Sequence, residues 1–361
     1  MSNTTGAGPQ QWNLPDNCAT MPVVLEQPHF DVVIVPFSSA EVRAACLGAV
    51  RSMEPSHDRL VVLGNCSTDD SCLMAERAGA EVVRLEHNTG FTGGMNRALT
   101  RTDSPWVLLL NPDCAPQPDY VARLFDAALE SPESIEIGSV TGLLVRAAGP
   151  NLEPTDIIDA AAMVVTPQGR HFDRLAGAGL DHAPKDRAWV FGGTGAATLF
   201  RRTALEDVAY PDGEVFPSSF FAYREDAELA WRLQWRAWRC LFVPEALAHH
   251  GRGFRLELGR RDQANINRLS VRNRFLLRVH CADLAWHLRC FPWWLMRDLV
   301  VVGACLTIER QSFPALLEAW RLRSDAWKRR RWVLSRSKAS SRQVSHWFRR
   351  PTGRTKEVDA S

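Results

Sequence analysis

The chain has no run of about 18 uncharged apolar residues, which excludes an ordinary single transmembrane helix. Its longest apolar stretch, Leu299 to Ile308, is closed by Arg297-Asp298 on one side and Glu309-Arg310 on the other. The opening stretch up to Pro22 has neither a basic region nor an apolar core, so it does not read as a secretion signal. Its Gly, Pro, Asn and Gln content predicts a mobile leader over residues 1–28. Paired cysteine spacing is also missing. Cys18, Cys46, Cys66, Cys72, Cys114, Cys240, Cys281, Cys290 and Cys305 are scattered with no C-x-x-C, as expected for reduced thiols in a cytoplasmic protein and not for a zinc site. No internal repeat occurs, and neither G-x-G-x-x-G nor a Walker loop is present, so hydride transfer and ATP hydrolysis lose ground.

What is present is enough for one large core. The chain has 361 residues, of which 45% are hydrophobic. A net charge of +2 hides an asymmetry. From Arg321 onward thirteen basic residues face three acidic ones, leaving thirty basic and thirty-eight acidic residues in the body. A basic tail on an acidic body points to an anionic partner surface.

Residues 31–35, 59–63, 81–85 and 106–110 read as buried strands, with helices over roughly 40–53, 69–78 and 93–101 between them. That alternation predicts an α/β fold with a mostly parallel sheet flanked by helices. Ligands in such sheets bind beyond the carboxyl ends of the strands. Further on, β-rich pieces at 189–191 and 196–200 precede a helix from Glu225 to about Ala237. A short strand over 239–243 follows, which Pro244 is expected to end.

Four segments carry chemistry. Asn111-Pro112-Asp113 directly follows the fourth strand, where a carboxylate suits a divalent cation and the diphosphate it neutralises; the same residues also make a plain turn. Asn88 to Arg97 follows the third strand, and Gly90, Gly93 and Gly94 permit either close approach of a ligand or tight helix–strand packing. Glu225-Asp226 opens a helix after an aromatic run, as capping acids or as a base aimed at a hydroxyl. His249-His250 follows a short apolar strand, as metal ligand or as structural histidine.

Taken in order, these segments resemble the family 2 glycosyltransferases of the GT-A fold, in particular their rhamnosyltransferase-like branch. The matches are Val62 to Asp69, Asn88 to Asn96, Leu109 to Asp113, Phe191 to Arg202, Phe220 to Arg232 and Val243 to His250, within residues 29–255. The resemblance implies an inverting, metal-dependent transfer of rhamnose or another hexose from a nucleotide-diphosphate sugar to an acceptor hydroxyl. By its terms Asp113 and His250 hold Mg2+ or Mn2+, with Asn111 in the place of a first acid. Asp226 is the catalytic base and Glu225 its neighbour. Donor contacts fall on Pro36, Phe37, Ser38, Gly64, Asn65, Asn88, Gly90, Phe91, Gly93, Gly94, Asn96, Asn111 and Asp113. Acceptor contacts fall on Gly193, Thr194, Gly195 and Tyr223. Two residues depart from the family pattern. Gly64 stands where an acid contacts the base, and Pro36 where the family has asparagine. Altered nucleotide recognition is expected, with the base held by backbone groups, stacking or Asn65.

Residues 256–361 read as a helical, basic, Trp-rich extension, with seven of the thirteen tryptophans beyond residue 255. Phe313, Leu316, Leu317 and Trp320 form one helical face, continued by Trp327 and Leu334, and Lys328 to Arg331 lie on the same expected helix. This is either an interfacial membrane helix or a helix packed on the catalytic domain. The resemblance favours the membrane, because members that build envelope glycans use polyprenyl-diphosphate-linked acceptors. A place at the inner face of the plasma membrane in envelope polysaccharide synthesis is therefore expected, with no nucleic acid as partner. A sugar nucleotidyltransferase is disfavoured, since Pro36 to Ser39 offers no basic Gly-rich loop for a triphosphate. A non-catalytic scaffold relative is the other alternative.

Overall fold

The computed structural model describes residues 28–35, 40–65, 71–251 and 260–348. The expected leader and Pro36, Phe37 and Ser38 lie outside them.

The N-terminal half builds as its periodicity predicts. Strands β1 (Phe30–Ile34), β2 (Arg59–Asn65), β3 (Glu81–Leu85) and β4 (Trp106–Leu110) alternate with helices α1 (Ala40–Arg51), α2 (Ser71–Arg77) and α3 (Gly90–Leu99). All four strands pair in parallel, in the order β3-β2-β1-β4. Val32, Val33 and Ile34 are fully buried, because helices cover both faces of a βαβ sheet. The order reverses at β1, which lies between β2 and β4, and such a reversal opens a crevice at the carboxyl ends.

Beyond β4 the sheet changes character. A short β5 (Cys114–Pro116), α4 (Tyr120–Glu130), the long β6 (Ile137–Ala148) and β7 (Glu153–Ala160) follow, then a small hairpin of β8 (Met163–Val165) and β9 (His171–Asp173). Next come β10 (Ala188–Val190), β11 (Ala197–Arg201), α5 (Arg202–Val208), α6 (Glu225–Trp235) and β12 (Arg239–His250). The sheet continues β4-β11-β6-β12-β10. Only β11 and β10 run against the rest of that path, so six of its eight strands share one direction.

Pro244 does not end its strand. β12 runs on to His250, and its register with β6 slips between Val243 and Leu247. Three residues bulge out there, which spares the ladder a donor that proline lacks.

The C-terminal helices are α7 (Arg260–Cys281), α8 (Leu284–Arg289), α9 (Trp293–Leu306), α10 (Phe313–Arg321), α11 (Arg323–Ser335) and α12 (Ser341–Ser345). The single helix expected from 313 to 334 is thus two, broken at Leu322. These helices share a core with α6: Phe191, Trp231 and Trp235 pack with Leu276, Trp286, Val333 and Phe348. The Trp231 and Phe348 rings lie 4.5 Å apart, and Trp235 Nε1 donates to Cys281 O at 2.7 Å. Several tail cations also turn inward. Arg329 is buried over Tyr210 and reaches Asp212 and Glu214, Arg330 donates to Ala282 O, and Arg336 lies 3.3 Å from Asp207. The packing role of the extension is therefore visible in α11. Among the described residues Cys72, Cys114, Cys240, Cys281, Cys290 and Cys305 are free thiols.

Glu228 and Arg232, four residues apart on α6, form an ion pair. Both are fully buried. Arg232 Nε donates to Glu228 Oε2 at 2.9 Å, His280 Nδ1 lies 3.1 Å from Oε1, and the Tyr210 hydroxyl donates to the same oxygen. Burial pushes the carboxyl up, but Arg232 and His280 outweigh it and hold it down at about 2, against an ordinary 4.5. A carboxyl depressed by folding stabilises the protein above the ordinary value and loses that stabilisation as pH falls toward 2. Glu228→Gln is expected to cost about 3–5 kcal/mol at pH 7, because Arg232 is left as an uncompensated buried charge. Urea denaturation checks this: the gap to wild type should narrow as pH drops below about 4.5, the ordinary carboxyl value.

Candidate active site

At the exit of β4, Asn111 N donates to Ala196 O at 2.8 Å and Asn111 O accepts from Cys114 N at 3.1 Å. This is the turn that Asn-Pro-Asp composition allows, and it feeds β5. β5 then pairs antiparallel with the end of β12, setting Cys114 opposite His250. That pairing delivers Asp113 to His250, with Oδ1 3.3 Å from Nε2.

The other imidazole nitrogen belongs to a residue that sequence reasoning missed. His250 Nδ1 lies 2.7 Å from Oδ2 of Asp159, a fully buried acid on β7. The available signal was one acid inside the apolar run Ile157-Ile158-Asp159-Ala160. Burial lowers the His250 pKa, but the two carboxylates more than offset it and raise the value to about 9. With Nδ1–H given to Asp159, displacement of the Nε2 proton by a cation would leave a lone pair facing Asp113, an orienting arrangement typical of metal-binding histidines. Nε2 is buried, and Asp113 at 3.3 Å is the acid it faces among the described residues. The pair thus fits a divalent cation. No group of three or more His, Cys, Asp or Glu side chains converges for a metal among the described residues. Two protein ligands suit a cation whose other ligands are diphosphate oxygens and water.

The second acid centre lies at the head of α6. Phe221, Tyr223 and Arg224 all have positive φ, at 62°, 72° and 71°, a strained run for side chains of this size. It is held from α7, where buried Asn273 donates from Nδ2 to the carbonyls of Phe220, Ala222 and Tyr223 at 2.8–2.9 Å. Arg272 adds bonds to Ser219 O and Phe220 O, both at 2.8 Å. Nothing in the sequence marks Asn273, because its partners lie about fifty residues upstream. Glu225 and Asp226 then occupy the first turn of α6, where the helix dipole favours anions. Asp226 Oδ1 accepts from Ala227 N at 2.7 Å, and Oδ2 would lie 3.7 Å from a Cβ placed on Gly195. Beside it, His171 is pushed down to about 4 by burial, with Arg224 and Arg170 adding to the effect against Asp226, so it is neutral near pH 7.

The two centres meet across one stretch of backbone. Gly195 abuts Asp226, and the next carbonyl, of Ala196, holds Asn111. Gly193 packs on Thr198 and Thr141, while Thr194 is buried and its carbonyl accepts from Thr198 Oγ1 at 2.7 Å. Tyr223 is half-buried in the strained run.

The expected donor contacts divide. Gly90, at φ 71°, lies where a Cβ would come within 2.6 Å of the Phe221 ring, so this glycine joins the third-strand motif to the Asp226 loop. Gly94 packs on Leu63 and Val35, which is close helix–strand packing, while Gly93 packs on Thr89 at the start of its own helix. Phe91 meets Phe216 edge-on. Asn96 donates to Phe216 O and accepts from Val215 N and Phe216 N, so its amide clamps a loop instead of facing a ligand. Asn65 likewise differs from expectation. Its Nδ2 donates to Asn88 Oδ1 and Gly90 O, and its Oδ1 accepts from Thr89 N. The Asn65 amide shapes the 88–90 turn and has no donor left for a base. An added Cβ at Gly64 would meet Cys72 Sγ at 2.6 Å, so a side chain there points at α2.

Residues 31–209 match the family model described as glycosyl transferase family 2. That segment is similar to family 2 glycosyltransferase domains. The match covers the Asn-Pro-Asp turn and the Gly-rich 192–195 loop and stops before Asp226 and His250. No curated protein matches the chain. Among solved structures, TarS of S. aureus (residues 1–349) is similar at 15% identity and a TM-score of 0.50, covering 85% of this chain and 90% of that one. A second TarS structure aligns at 16% identity and 0.51, over 82% of this chain and 49% of that one. Mannosyltransferase PcManGT of Pyrobaculum calidifontis, solved with GDP-Man and Mn2+, aligns at 15% identity and 0.49, over 83% and 88%. At these identities the likeness to TarS is one of fold alone: with the sheet order above, it gives this chain the GT-A fold.

Removing the Asn273 amide should release the strained run that presents Asp226. Asn273→Ala is expected to lower kcat about tenfold to a hundredfold through misplacement of the carboxylate, with little change in donor KM. Steady-state kinetics at saturating donor measure the split, and an unchanged kcat would show that the clamp does not govern Asp226.

Proposed function

We propose that this protein is an inverting glycosyltransferase that moves a sugar from a nucleoside-diphosphate donor to an acceptor hydroxyl. The observation that carries the reading is the pairing of Asp113 with His250 at the exit of β4, set across residues 195–196 from Asp226. Asp113 and His250 hold the cation, Mg2+ or Mn2+, which when bound stabilises negative charge on the departing diphosphate. Asp159 orients His250, and Asn273 orients the Asp226 loop. Asp226 takes the acceptor proton as its oxygen attacks the anomeric carbon from the face opposite the diphosphate. Loss of side-chain reach at Gly64, and of free donors at Asn65, leaves base recognition to backbone and stacking.

The rhamnosyltransferase-like motif order supports rhamnose or another hexose as the sugar and a polyprenyl-diphosphate-linked or glycan acceptor in envelope polysaccharide synthesis. A membrane-surface location is part of the proposal. No single described helix is long and apolar enough to cross a bilayer; α9 and the segment through α10 reach that length only as a pair bent by 105°. Yet Leu284, Leu288, Met296, Leu299, Val300 and Trp320 are all more than half exposed on α8, α9 and α10. Clustered Leu and Trp with nearby cations suit insertion at a headgroup boundary. Leu288→Glu with Leu299→Glu should weaken binding to phosphatidylglycerol-containing vesicles by about tenfold or more, read by co-sedimentation, with donor hydrolysis unaffected.

The test of the function is a thermal-shift series of nucleoside diphosphates and their sugars with Mn2+, followed by donor hydrolysis without acceptor. A ligand at a hundred times its Kd should add about 2.7 kcal/mol of stability. Absence of both stabilisation and hydrolysis would leave a non-catalytic scaffold.

A further inference from the structure

We infer that arginines beside Asp226 form a second anion subsite, which takes the phosphate or diphosphate group of the acceptor. The word acceptor rests on the transferase reading above; the anion itself rests on the geometry alone.

Four separate segments bring guanidinium groups together. They are the β8–β9 turn with Arg170, the head of α6 with Arg224, α7 with Arg274 and Arg278, and α9 with Arg297. Arg274 Nε lies 3.3 Å from Asp298 Oδ1, and its Nη2 donates to Gln168 O at 3.2 Å. Arg278 takes the other oxygen of Asp298, and its Cδ would lie 3.1 Å from a Cβ on Gly169, next to Arg170. Arg224 donates to Ser270 O and Oγ, and its Nη1 lies 3.5 Å from His171 Nδ1. Arg274 and Arg278 are 97% and 92% buried, since their side chains keep exposures of 3% and 8%. Two of these buried guanidinium groups, Arg274 and Arg278, share the single carboxylate of Asp298.

Such an excess is costly to bury without a counter-charge. Burial first, then the neighbouring guanidinium groups, hold both Arg224 and Arg274 well below the ordinary arginine value. Donors are also left over. Arg278 Nε and Nη1 and Arg297 Nε are buried with no hydrogen-bond partner among the described residues. Planar forks with spare N–H groups match the oxygens of a phosphate. Arg170, Arg224 and Arg297 are half-buried, so the cluster is reachable from solvent. The site is distinct from Asp113–His250, where the nearby cation is Arg146, 4.0 Å from Asp159. It adjoins the base, because Asp226 acts on both Arg224 and His171. An acceptor whose phosphate sits on these arginines would bring its sugar or hydroxyl to Asp226.

The experiment is calorimetric titration of inorganic pyrophosphate in EDTA into wild type, Arg297→Gln, Arg170→Gln and Arg297→Lys. Nucleoside diphosphate with Mn2+ is titrated into each in parallel. Pyrophosphate should bind wild type, bind each glutamine variant about tenfold more weakly, and recover in the lysine variant, while nucleotide affinity stays constant. Arg170 lies in a hairpin turn, so its variant serves if Arg297→Gln does not fold. Farnesyl diphosphate binding more tightly than pyrophosphate would assign a lipid-borne group; equal affinity would assign a soluble phosphate ester. Identical pyrophosphate affinity in wild type and glutamine variants, or competition between pyrophosphate and the nucleotide, would overturn the inference. If nucleotide fails to bind while pyrophosphate tracks the arginines, the transferase reading falls and the subsite stands.

Discussion

Asp226→Asn is expected to lower turnover by about 10² to 10⁴ while leaving nucleotide-sugar affinity near that of wild type, the range that general-base catalysis contributes. The amide keeps the shape of the carboxylate and cannot take the acceptor proton. The fold should tolerate the change, because the side chain lies at a helix start and accepts from the adjacent Ala227 amide, a bond that an amide oxygen can keep. Loss of the first-turn charge should cost about 0.3–1 kcal/mol. Single-turnover rates with saturating donor, set beside calorimetric donor affinity, measure the two quantities separately. A collapse of donor affinity in the variant would make Asp226 a donor ligand and remove it as the base.

Asp113→Ala is expected to cut turnover by about 10² to 10³, the scale of removing one electrostatic contact to developing charge. Here the loss enters through metal affinity. His250 would keep Asp159 on Nδ1 and lose the carboxylate facing Nε2, so the cation would retain one protein ligand of two. The Mn2+-dependent part of the thermal shift with nucleoside diphosphate should disappear, while the melting temperature of the free protein stays within a few degrees. Full activity of wild type in excess EDTA would refute the metal role for both residues.

Much of the domain was legible in the residues. Strands of Val, Ile and Leu at 31–35, 59–63 and 106–110 lie where their apolar runs place them, because both faces of a parallel sheet are buried. The Asn-Pro-Asp turn and the acids at the head of α6 were legible too, since strand exits and helix starts leave short local signals. Other features were not. Gly90, open to reading as a ligand-approach glycine, packs on Phe221, and Asn65 and Asn96 direct their amides at backbone. Each of those duties depends on a partner distant in the chain. The cationic run at 328–331 reads as a solvated face, but Arg329 turns inward to Asp212 and Glu214 on the catalytic side.

By itself the sequence determined the sheet and put acids at a strand exit and a helix start, because backbone periodicity and strand-end chemistry are local properties. The tertiary structure alone decided which of those groups meet. β5 pairs with the end of β12 and sets Asp113 against His250; β7 brings Asp159 beneath that imidazole. α7 returns to clamp the Asp226 loop through Asn273 and to gather arginines beside it. These contacts join residues tens of positions apart or more. Buried charges and strained backbone both cost free energy, and only partners brought in from distant segments offset it.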